Sequence, residues 1–491
     1  MTLQRYLNSS AVSDAVMIAR DGFITLVYQD QVLSMQASDC FSFPGFSYTG
    51  TVNNPFPEAI VPSALKDARV ITDTLYLSFP FTAAGAEIDS MRFVSADLMV
   101  QLGNPNQVEG TVTVEFPGIT RNGTVYSKIL LPGSGGQWSD LGGYTVRLDT
   151  SQSQKNLLQV IVKTSISNTG ISIPPGGVVQ QVDMGMSNIR FSAVYGYLGK
   201  VSIPIDQGSF NLSFFKAIPI GNFNFADPRL KIYFANSFGL PVAAWFRYLY
   251  ATTVVSGNIP FSSPQVPNSN QPKIIGYPLL GEAGTTKTDS IILNGSNSNL
   301  PYVLSQKPES ISYADSLLTN PNGFTHSNFA LDTSRFSLGL MVELPLYGNS
   351  DYLLMYDTMH FDFAKFAYNT PGEVKTLRFQ LSIITDLPVE IEPQVFFADA
   401  NFRVLDSLFS VPAVIRAADI DANGKAVPTK IDPIWIDFPP ERLPNIENAR
   451  YLVARGKIRT GNAPSPVKFY DGYFFNVSLG AVIGLQINTG L

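Results

Sequence analysis

The residues best placed to bind a metal ion lie in the run Asp419-Ile420-Asp421-Ala422-Asn423-Gly424. Oxygen-bearing side chains at positions 1, 3 and 5 with glycine at position 6 match the opening of a calcium-binding loop. Such a loop closes with an acid at position 12, but Lys430 stands there and its charge repels a cation. The run also fits an Asn-Gly hairpin turn with solvated acids. We therefore expect a turn, with calcium held by Asp419, Asp421 and Asn423 as the alternative.

The sequence contains few residues that could form a catalytic site. The chain has two histidines, His326 and His360, and only His360 has acids nearby, Asp357 and Asp362. A zinc site needs three or four ligands. Neither a G-x-S-x-G elbow nor a phosphate-binding loop with its Lys-Ser/Thr pair occurs. The sequence predicts a protein that is not an enzyme and that needs no cofactor.

Aromatic residues make up 12% of the chain, with 34 Phe against 3 Trp. Because sugar-binding surfaces favour exposed Trp and Tyr, the excess of Phe favours packing between sheets or an apolar cavity. Trp138, Trp245 and Trp435 are the candidates for contact with a ligand at the surface. Packing in the core is the interpretation we prefer for these three side chains.

The composition excludes several classes of protein. Charged residues are 15% of the 491 residues, below the usual quarter or so, and the net charge is -6. A nucleic-acid partner needs a concentrated basic face, which the chain lacks. The single Cys40 excludes an intrachain disulfide, and we expect it to be a small buried apolar residue rather than a nucleophile.

The expected location is outside the cytoplasm. A weakly charged surface rich in Asn, Ser, Thr, Gly and Pro is typical of extracytoplasmic β proteins. The chain has no apolar run of about 18 residues that could form a membrane-spanning helix. Its first residues lack a basic region followed by an apolar one, so we expect a signal segment upstream of Met1. Periplasm or cell surface is the predicted site, with membrane attachment only through an upstream anchor.

Residues 227–250 carry the clearest structural pattern. Leu230, Ile232 and Phe234 alternate with polar residues, which is the period of a strand with one buried face. Residues 236–241 then supply a turn containing Gly and Pro, and alternation resumes from Val242. The pattern predicts a strand, a tight turn and a second strand.

Similar patterns recur along the chain. We expect strands at 96–102, 158–166, 336–347 and 477–487, and a hairpin in residues 23–35 around 29–31. Asn122-Gly123 is a strong signal for a type I′ hairpin turn. Residues 67–81 read as a strand pair, and 312–318 and 440–452 as short helices.

These elements predict an all-β fold of tandem antiparallel β-sandwich modules with very little helix. The expected division is an N-terminal segment with a β-hairpin, a sandwich module, a second module with long loops and a C-terminal module: 1–69, 70–200, 201–370 and 371–491. Three strand–turn–strand units centred near residues 104, 240 and 387 share one plan. They are either internal repeats or the ordinary reuse of strand and turn chemistry.

Two resemblances accompany this interpretation. Asp227-Pro228-Arg229-Leu230, followed by Asn236-Ser237-Phe238-Gly239-Leu240-Pro241-Val242, resembles the late-embryogenesis-abundant type 2 (WHy) β-sandwich module. Residues 21–28, 343–348, 395–401 and 404–408 resemble segments of uncharacterised β-rich cell-envelope proteins of the Bacteroides group, best over 330–491. The first resemblance implies binding through surfaces or apolar cavities. The second implies export and an upstream lipid anchor, and no known activity.

The predicted function is therefore that of an exported, non-enzymatic cell-envelope protein. It would act as a binding or structural module for a protein partner or an apolar, lipid-like ligand, without nucleic acid. A carbohydrate-binding surface protein and a structural protein of a virion or appendage are the alternatives. The oligomeric state stays open.

Overall fold

The structure is a computed structural model that describes residues 13–62, 69–82, 85–148, 155–204, 207–217, 220–324, 327–361, 374–421, 425–427, 429–461 and 464–485. In chain order the first strands are Val16–Ile18 (β1), Ile24–Gln36 (β2), Phe46–Asn53 (β3), Arg69–Ser78 (β4), Glu87–Gly103 (β5), Glu109–Arg121 (β6), Thr124–Leu130 (β7), Gln137–Asp140 (β8), Thr145–Arg147 (β9), Leu157–Asn168 (β10), Val178–Tyr197 (β11), Ser202–Pro204 (β12), Gly208–Asn211 (β13), Asn224–Phe225 (β14), Arg229–Asn236 (β15) and Val242–Thr253 (β16).

The later strands are Gly257–Pro260 (β17), Lys273–Ile275 (β18), Lys287–Leu293 (β19), Ser310–Thr319 (β20), Asn328–Leu331 (β21), Arg335–Pro345 (β22), Tyr347–Asn349 (β23), Leu353–His360 (β24), Val374–Thr385 (β25), Val389–Ala398 (β26), Val404–Ser407 (β27), Thr429–Phe438 (β28), Tyr451–Thr460 (β29), Val467–Lys468 (β30) and Phe475–Leu485 (β31). The short α-helices in the described ranges are Ala37–Cys40 (α1), Ser213–Ala217 (α2), Leu300–Ser305 (α3) and Leu443–Ile446 (α4), and single 3₁₀ turns span Ser13–Ala15, Leu280–Glu282 and Pro440–Arg442.

The described strands form antiparallel sheets, which confirms the all-β, sandwich-like fold. A five-stranded sheet has the order β1-β2-β22-β15-β19, and a six-stranded sheet contains β12-β20-β16-β17 with β13 and β18 beside them. A ten-stranded sheet contains β21-β11-β5-β9-β6-β10-β4 with β3, β7 and β8. A four-stranded sheet, β24-β29-β26-β27, and two three-stranded sheets, β28-β25-β31 and β14-β23-β30, complete the set.

Two main hydrophobic cores hold these sheets together. The larger core draws buried residues from Ala15 to Leu346 and includes members of the ten-, six- and five-stranded sheets. The smaller core runs from Leu377 to Ala449 and lies between the four-stranded sheet and the sheet β28-β25-β31. We call this second unit the C-terminal sandwich.

Hydrogen bonding joins segments that the sequence placed in different modules. Strand β3, from segment 1–69, pairs with β11 of segment 70–200, and β11 also pairs with β21 of segment 201–370. Strand β2 pairs with β22 in the same way. That the four predicted segments fold as independent units stays a prediction.

The unit at residues 227–250 shows why local pattern does not determine pairing. Leu230, Ile232 and Phe234 are buried as predicted, with at most 1% of their surface exposed. However, β15 pairs with β19 and β22, whereas β16 pairs with β17, β18 and β20. The two strands form as predicted but do not pair with each other, because the chain crosses from the five-stranded to the six-stranded sheet. The unit near residue 387 does the same, with β25 and β26 in opposite sheets of the C-terminal sandwich.

One predicted turn is confirmed in detail. Strands β6 and β7 pair up to Arg121 opposite Thr124, which leaves Asn122 and Gly123 as a two-residue loop. Their φ angles are 51° and 81°. Positive φ at both central residues is the geometry that a type I′ turn requires.

Other local predictions are wrong. Residues 24–36 form one continuous strand, β2, with an irregularity between Asp30 and Leu33 in place of the hairpin expected in 23–35. The described part of 67–81 holds the single strand β4. Residues 312–318 belong to strand β20 and are not helical, since β20 pairs with β16 on one side and with β12 and β13 on the other. The expected helix at 440–452 is reduced to a 3₁₀ turn and α4, after which β29 begins.

Candidate functional site

The C-terminal sandwich contains a chain of aromatic rings between its two sheets. Phe361, directly after β24, lies 5.5 Å from Phe397 on β26, measured between ring centroids. Phe397 is 5.8 Å from Phe438 on β28, and Phe438 is 6.0 Å from Phe379 on β25. All three contacts are close to edge-to-face, the arrangement that aromatic quadrupoles favour. The rings therefore connect the two sheets across the core.

A cavity of about 220 Å³ lies against these rings. Phe379, Gly480 and Ala481 line it from the three-stranded sheet, and Phe361, Val395, Phe397 and Leu452, with Leu408, line it from the opposite side. Each lining residue is apolar or glycine. The described lining can therefore accept a neutral apolar group, and among these residues there is no acid, base or nucleophile for catalysis.

The register between β25 and β31 explains why space remains here. Ala481 stands directly opposite Phe379, and Gly480 stands opposite Gln380. A methyl group and a hydrogen fill far less volume than the Leu or Ile side chains found elsewhere in this core. Protein interiors are otherwise close-packed, so a gap of this size reflects small residues at these positions.

The cavity opens to solvent along β31. Phe379, Phe397 and Leu408 are nearly fully buried, with 1–3% of their surface exposed, but Gly480 and Ala481 are exposed. Among the described strands, β31 is an edge strand of its sheet and β24 is an edge strand of the facing sheet. Phe361 follows β24 directly, so the mouth lies where two sheet edges meet. A ligand can reach the rings from this side.

The structure does not bring the three tryptophans together. Trp138 is on β8 of the ten-stranded sheet and Trp245 is half-buried on β16, whereas Trp435 is on β28. Trp138 is 63% exposed and Trp435 is 45% exposed. Packing in the core is therefore wrong for these two side chains. Contact of each tryptophan with a ligand stays a prediction.

Trp435 has a charged neighbour. The guanidinium carbon of Arg378 lies 5.0 Å from the centre of its ring, within the range of a cation–π contact. The same Arg378 forms an ion pair with Asp437, with 2.6 Å between Nε and Oδ1. This exposed group lies on the outer face of the C-terminal sandwich.

The predicted metal loop has the bonding of a hairpin tip. The amide of Asp421 donates to the carbonyl of Lys425, and the amide of Lys425 donates back to Oδ1 of Asp421, at 2.8 and 2.9 Å. Asp419 accepts from the amide of Val427 through its carbonyl. Asn423 lies outside the described residues. Calcium binding at Asp419, Asp421 and Asn423 stays a prediction.

The described ranges contain no group of three or more His, Cys, Asp or Glu residues arranged to hold a metal ion. His360 is exposed and packs edge-to-face on Tyr451, with 5.8 Å between centroids. Asp362 and His326 lie outside the described residues. The structure therefore does not test a site formed by His360 and Asp362.

Sequence reasoning reached the cavity only in part. The excess of Phe predicted either packing between sheets or an apolar cavity, and it placed neither. The signal that could have located the cavity is the pair Gly480-Ala481 within an otherwise strongly apolar strand, since small residues in a strand that borders the core leave room. The partner strand and its register could not be read from the chain.

Comparison with known proteins adds no family. Neither family models nor curated sequences match the chain. A protein of Parabacteroides distasonis assigned as secreted is 14% identical, covering 58% of this chain and 83% of its own, with a TM-score of 0.29. PNGase F, a glycosylasparaginase of Flavobacterium meningosepticum, is 12% identical, covering 61% and 96%, with a TM-score of 0.15. The Gt strain of infectious bursal disease virus gives 11% identity, 90% and 86% coverage, and a TM-score of 0.17.

TM-scores this low establish neither a shared fold nor a shared function. The resemblances to the WHy module and to envelope proteins of the Bacteroides group have no matching family model. Among the helices of the described residues, none has the length and apolar character needed to cross a bilayer.

Proposed function

We propose that this chain is an exported, non-enzymatic binding protein whose C-terminal sandwich takes up a small neutral apolar group. The observation that carries the proposal is the Phe-lined cavity of about 220 Å³ with its mouth at β31. For comparison, an apolar protein cavity of roughly 150 Å³ stays dry and binds benzene. A substituted or fused aromatic ring, or a short branched alkyl group, suits the larger cavity.

Export rests on composition. The weakly charged surface, 15% charged residues with 38 Gly and 34 Pro, suits an extracytoplasmic β protein. Placement in the periplasm or at the cell surface belongs to the same proposal. Antibody labelling of intact and permeabilised cells of the source organism tests it.

Ligand binding is tested with toluene as the probe and benzoate as its charged counterpart. Toluene at millimolar concentration raises the melting temperature and shifts the methyl NMR signals of Val395, Leu408 and Leu452. A ligand that binds only the folded state stabilises it by mass action. Benzoate leaves both unchanged, because the described residues that line the cavity offer no partner for a buried charge.

A filled cavity supplies the matched control. Ala481→Leu places a larger side chain opposite Phe379 and abolishes the toluene response. Val482, the neighbouring residue, lies on the outer face of β31 and is 55% exposed, so Val482→Leu keeps the response. Toluene shifts that persist in Ala481→Leu, or that disappear equally in both variants, contradict the assignment of the cavity.

Exposed tryptophan favours carbohydrate binding as a second candidate. Trp435 and Trp138 present indole surface to solvent, which is the chemistry that stacks on sugar rings. A glycan array with the full chain, repeated with Trp435→Ala and Trp138→Ala, tests this role. Silence of the wild-type chain on the array eliminates it.

A structural role in a virion or appendage has its own supporting feature. Val254 and Val255, at the tip between β16 and β17, are 77% and 93% exposed. Adjacent exposed apolar side chains at a hairpin tip suit burial by a neighbouring subunit. Light scattering at micromolar concentration would then show a regular oligomer that the double change Val254→Ser and Val255→Ser dissociates.

A further inference from the structure

Asp315 is a carboxylate buried in the larger core. It lies on β20 with 1% of its surface exposed, and neither of its carboxylate oxygens has a hydrogen-bond partner among the described residues. Tyr313 and Leu317 flank it on the same face of the strand and are 5% and 1% exposed. Buried carboxylates are otherwise paired or hydrogen-bonded, so this one needs a physical account.

The described residues around Asp315 carry few charges. Phe246 on β16 stands directly opposite it in the ladder. Arg247, an exposed residue on β16, acts on it through its positive charge. Strands β12 and β13, which pair with the other edge of β20, carry no charged residue. Ionisation of Asp315 is therefore opposed by burial and only partly compensated by Arg247.

The remaining titratable groups belong to a contact between two sheets. The hydroxyl of Tyr313 donates to Oδ2 of Asp30 on β2, at 2.8 Å. This bond joins the six-stranded sheet to the five-stranded sheet, and the charge of Asp315 acts on Tyr313. A negative charge at Asp315 would lie beside a bond whose acceptor is itself a carboxylate.

We propose that Asp315 is a proton-controlled latch between these two sheets. In its neutral form it permits the sheets to close around the Tyr313–Asp30 hydrogen bond. In its ionised form it favours local opening of β20 away from β2, because water can then solvate the charge. The latch would make opening between the two sheets depend on the pH of the surrounding solution.

The direction of the coupling follows from the two states of Asp315. Burial raises the pKa of Asp315 to about 7, and the charge of Arg247 lowers it less than burial raises it. In an opened state the carboxyl regains an ordinary pKa of about 3.9. Between these values the closed form holds a proton that the open form releases. The closed form is thus most stable at low pH and loses stability as pH rises towards 7.

Amide hydrogen exchange of the full chain tests the latch. After correction for the intrinsic exchange chemistry, the opening equilibrium of the β20 amides rises at least tenfold between pH 5 and pH 8. Asp315→Asn keeps the shape of the side chain without its charge and removes this pH dependence. Asp315→Leu does the same if the Asn variant folds poorly.

Asp357→Asn is the matched control. Asp357 is an exposed strand residue on β24, so its variant keeps the pH dependence of the wild type. Equal opening of wild-type β20 at pH 5 and pH 8 overturns the proposal. So does a pH dependence that persists in both Asp315 variants, since another group would then be responsible.

Discussion

The hydroxyl of Tyr313 donates a hydrogen bond of 2.8 Å to a carboxylate oxygen of Asp30, and this bond connects β20 with β2 across the larger core. The two residues are 283 positions apart in sequence. Burial raises the pKa of Tyr313, and the hydrogen bond to Asp30 raises it further by a smaller amount. The hydroxyl therefore stays protonated and remains the donor. A hydrogen bond to a charged group contributes about 1.5–3 kcal/mol.

Tyr313→Phe is therefore expected to lower the free energy of unfolding by about 2 kcal/mol. Urea denaturation at pH 6 measures the loss. Tyr248→Phe is the control on the neighbouring strand, because Tyr248 donates to Gln207 at 2.9 Å in an exposed contact, and it should cost under about 0.5 kcal/mol. Equal losses in the two variants would mean that the cross-sheet bond contributes nothing of its own.

The strand faces could be predicted from sequence because they depend on local alternation. Ala96, Leu98, Val100 and Leu102 on β5 are all buried, as their spacing indicated. The Asn122-Gly123 turn could be predicted because two residues specify its backbone geometry. Both signals depend only on a few neighbouring residues.

Pairing between distant strands could not be predicted in the same way. The residues of β15 specify a strand and a turn, but its partner β22 begins about a hundred residues later. The segment 312–318 contains Ala, Ser and Leu, whose helix propensities are moderate to good, and its pairing on both sides of β20 overrides them. The cavity has the same origin, since Ala481 leaves space only because β31 pairs with β25 in this register.

Cys40 provides a prediction about reactivity. Burial, with a further contribution from the charge of Asp39, raises the pKa of the Cys40 thiol to about 12. At pH 8 only about one thiol in ten thousand is then ionised, and the thiolate is the reacting species. Reaction of the folded chain with a disulfide reagent such as DTNB should be more than about a hundredfold slower than reaction of the urea-unfolded chain. Comparable rates in the two states would show an accessible, ordinary thiol.

Gly123 provides a test of the confirmed turn. Its φ of 81° lies in the left-handed region, and a Cβ added there would meet no atom within 4 Å. The cost of Gly123→Ala is thus conformational and should be about 1 kcal/mol of unfolding free energy. Gly135→Ala is the matched control, with equally open surroundings and no left-handed φ, and should stay within about 0.5 kcal/mol. A loss in Gly135→Ala as large as in Gly123→Ala would contradict the assigned turn.

The ion pair between Asp406 and Arg442 provides the last prediction, which concerns the C-terminal sandwich. Nε of Arg442 lies 3.1 Å from Oδ2 of Asp406, its NH2 group bonds Oδ1, and Asn445 donates to Oδ2 at 3.0 Å. The two charged side chains are 13% and 23% exposed, so solvent screens them less than a surface pair. Burial alone would raise the pKa of Asp406, but the hydrogen bonds from Arg442, Asn445 and the Ser407 amide outweigh it and lower the pKa.

A lowered pKa in the folded state means that this contact stabilises the fold above about pH 3.9, the ordinary value for Asp, and that the contribution is lost as pH falls through the lower folded value. Asp406→Asn should therefore cost about 2 kcal/mol at pH 7, and the difference from wild type should shrink as the pH is lowered below 3.9. Urea denaturation at pH 7, 5 and 3 measures both effects. Asp437→Asn removes the partner of Arg378 in a pair whose carboxylate is 77% exposed, so it should cost no more than about 1 kcal/mol at pH 7. A loss in Asp406→Asn that stays constant from pH 7 to pH 3 would mean that the ionised carboxylate is not what stabilises the sandwich.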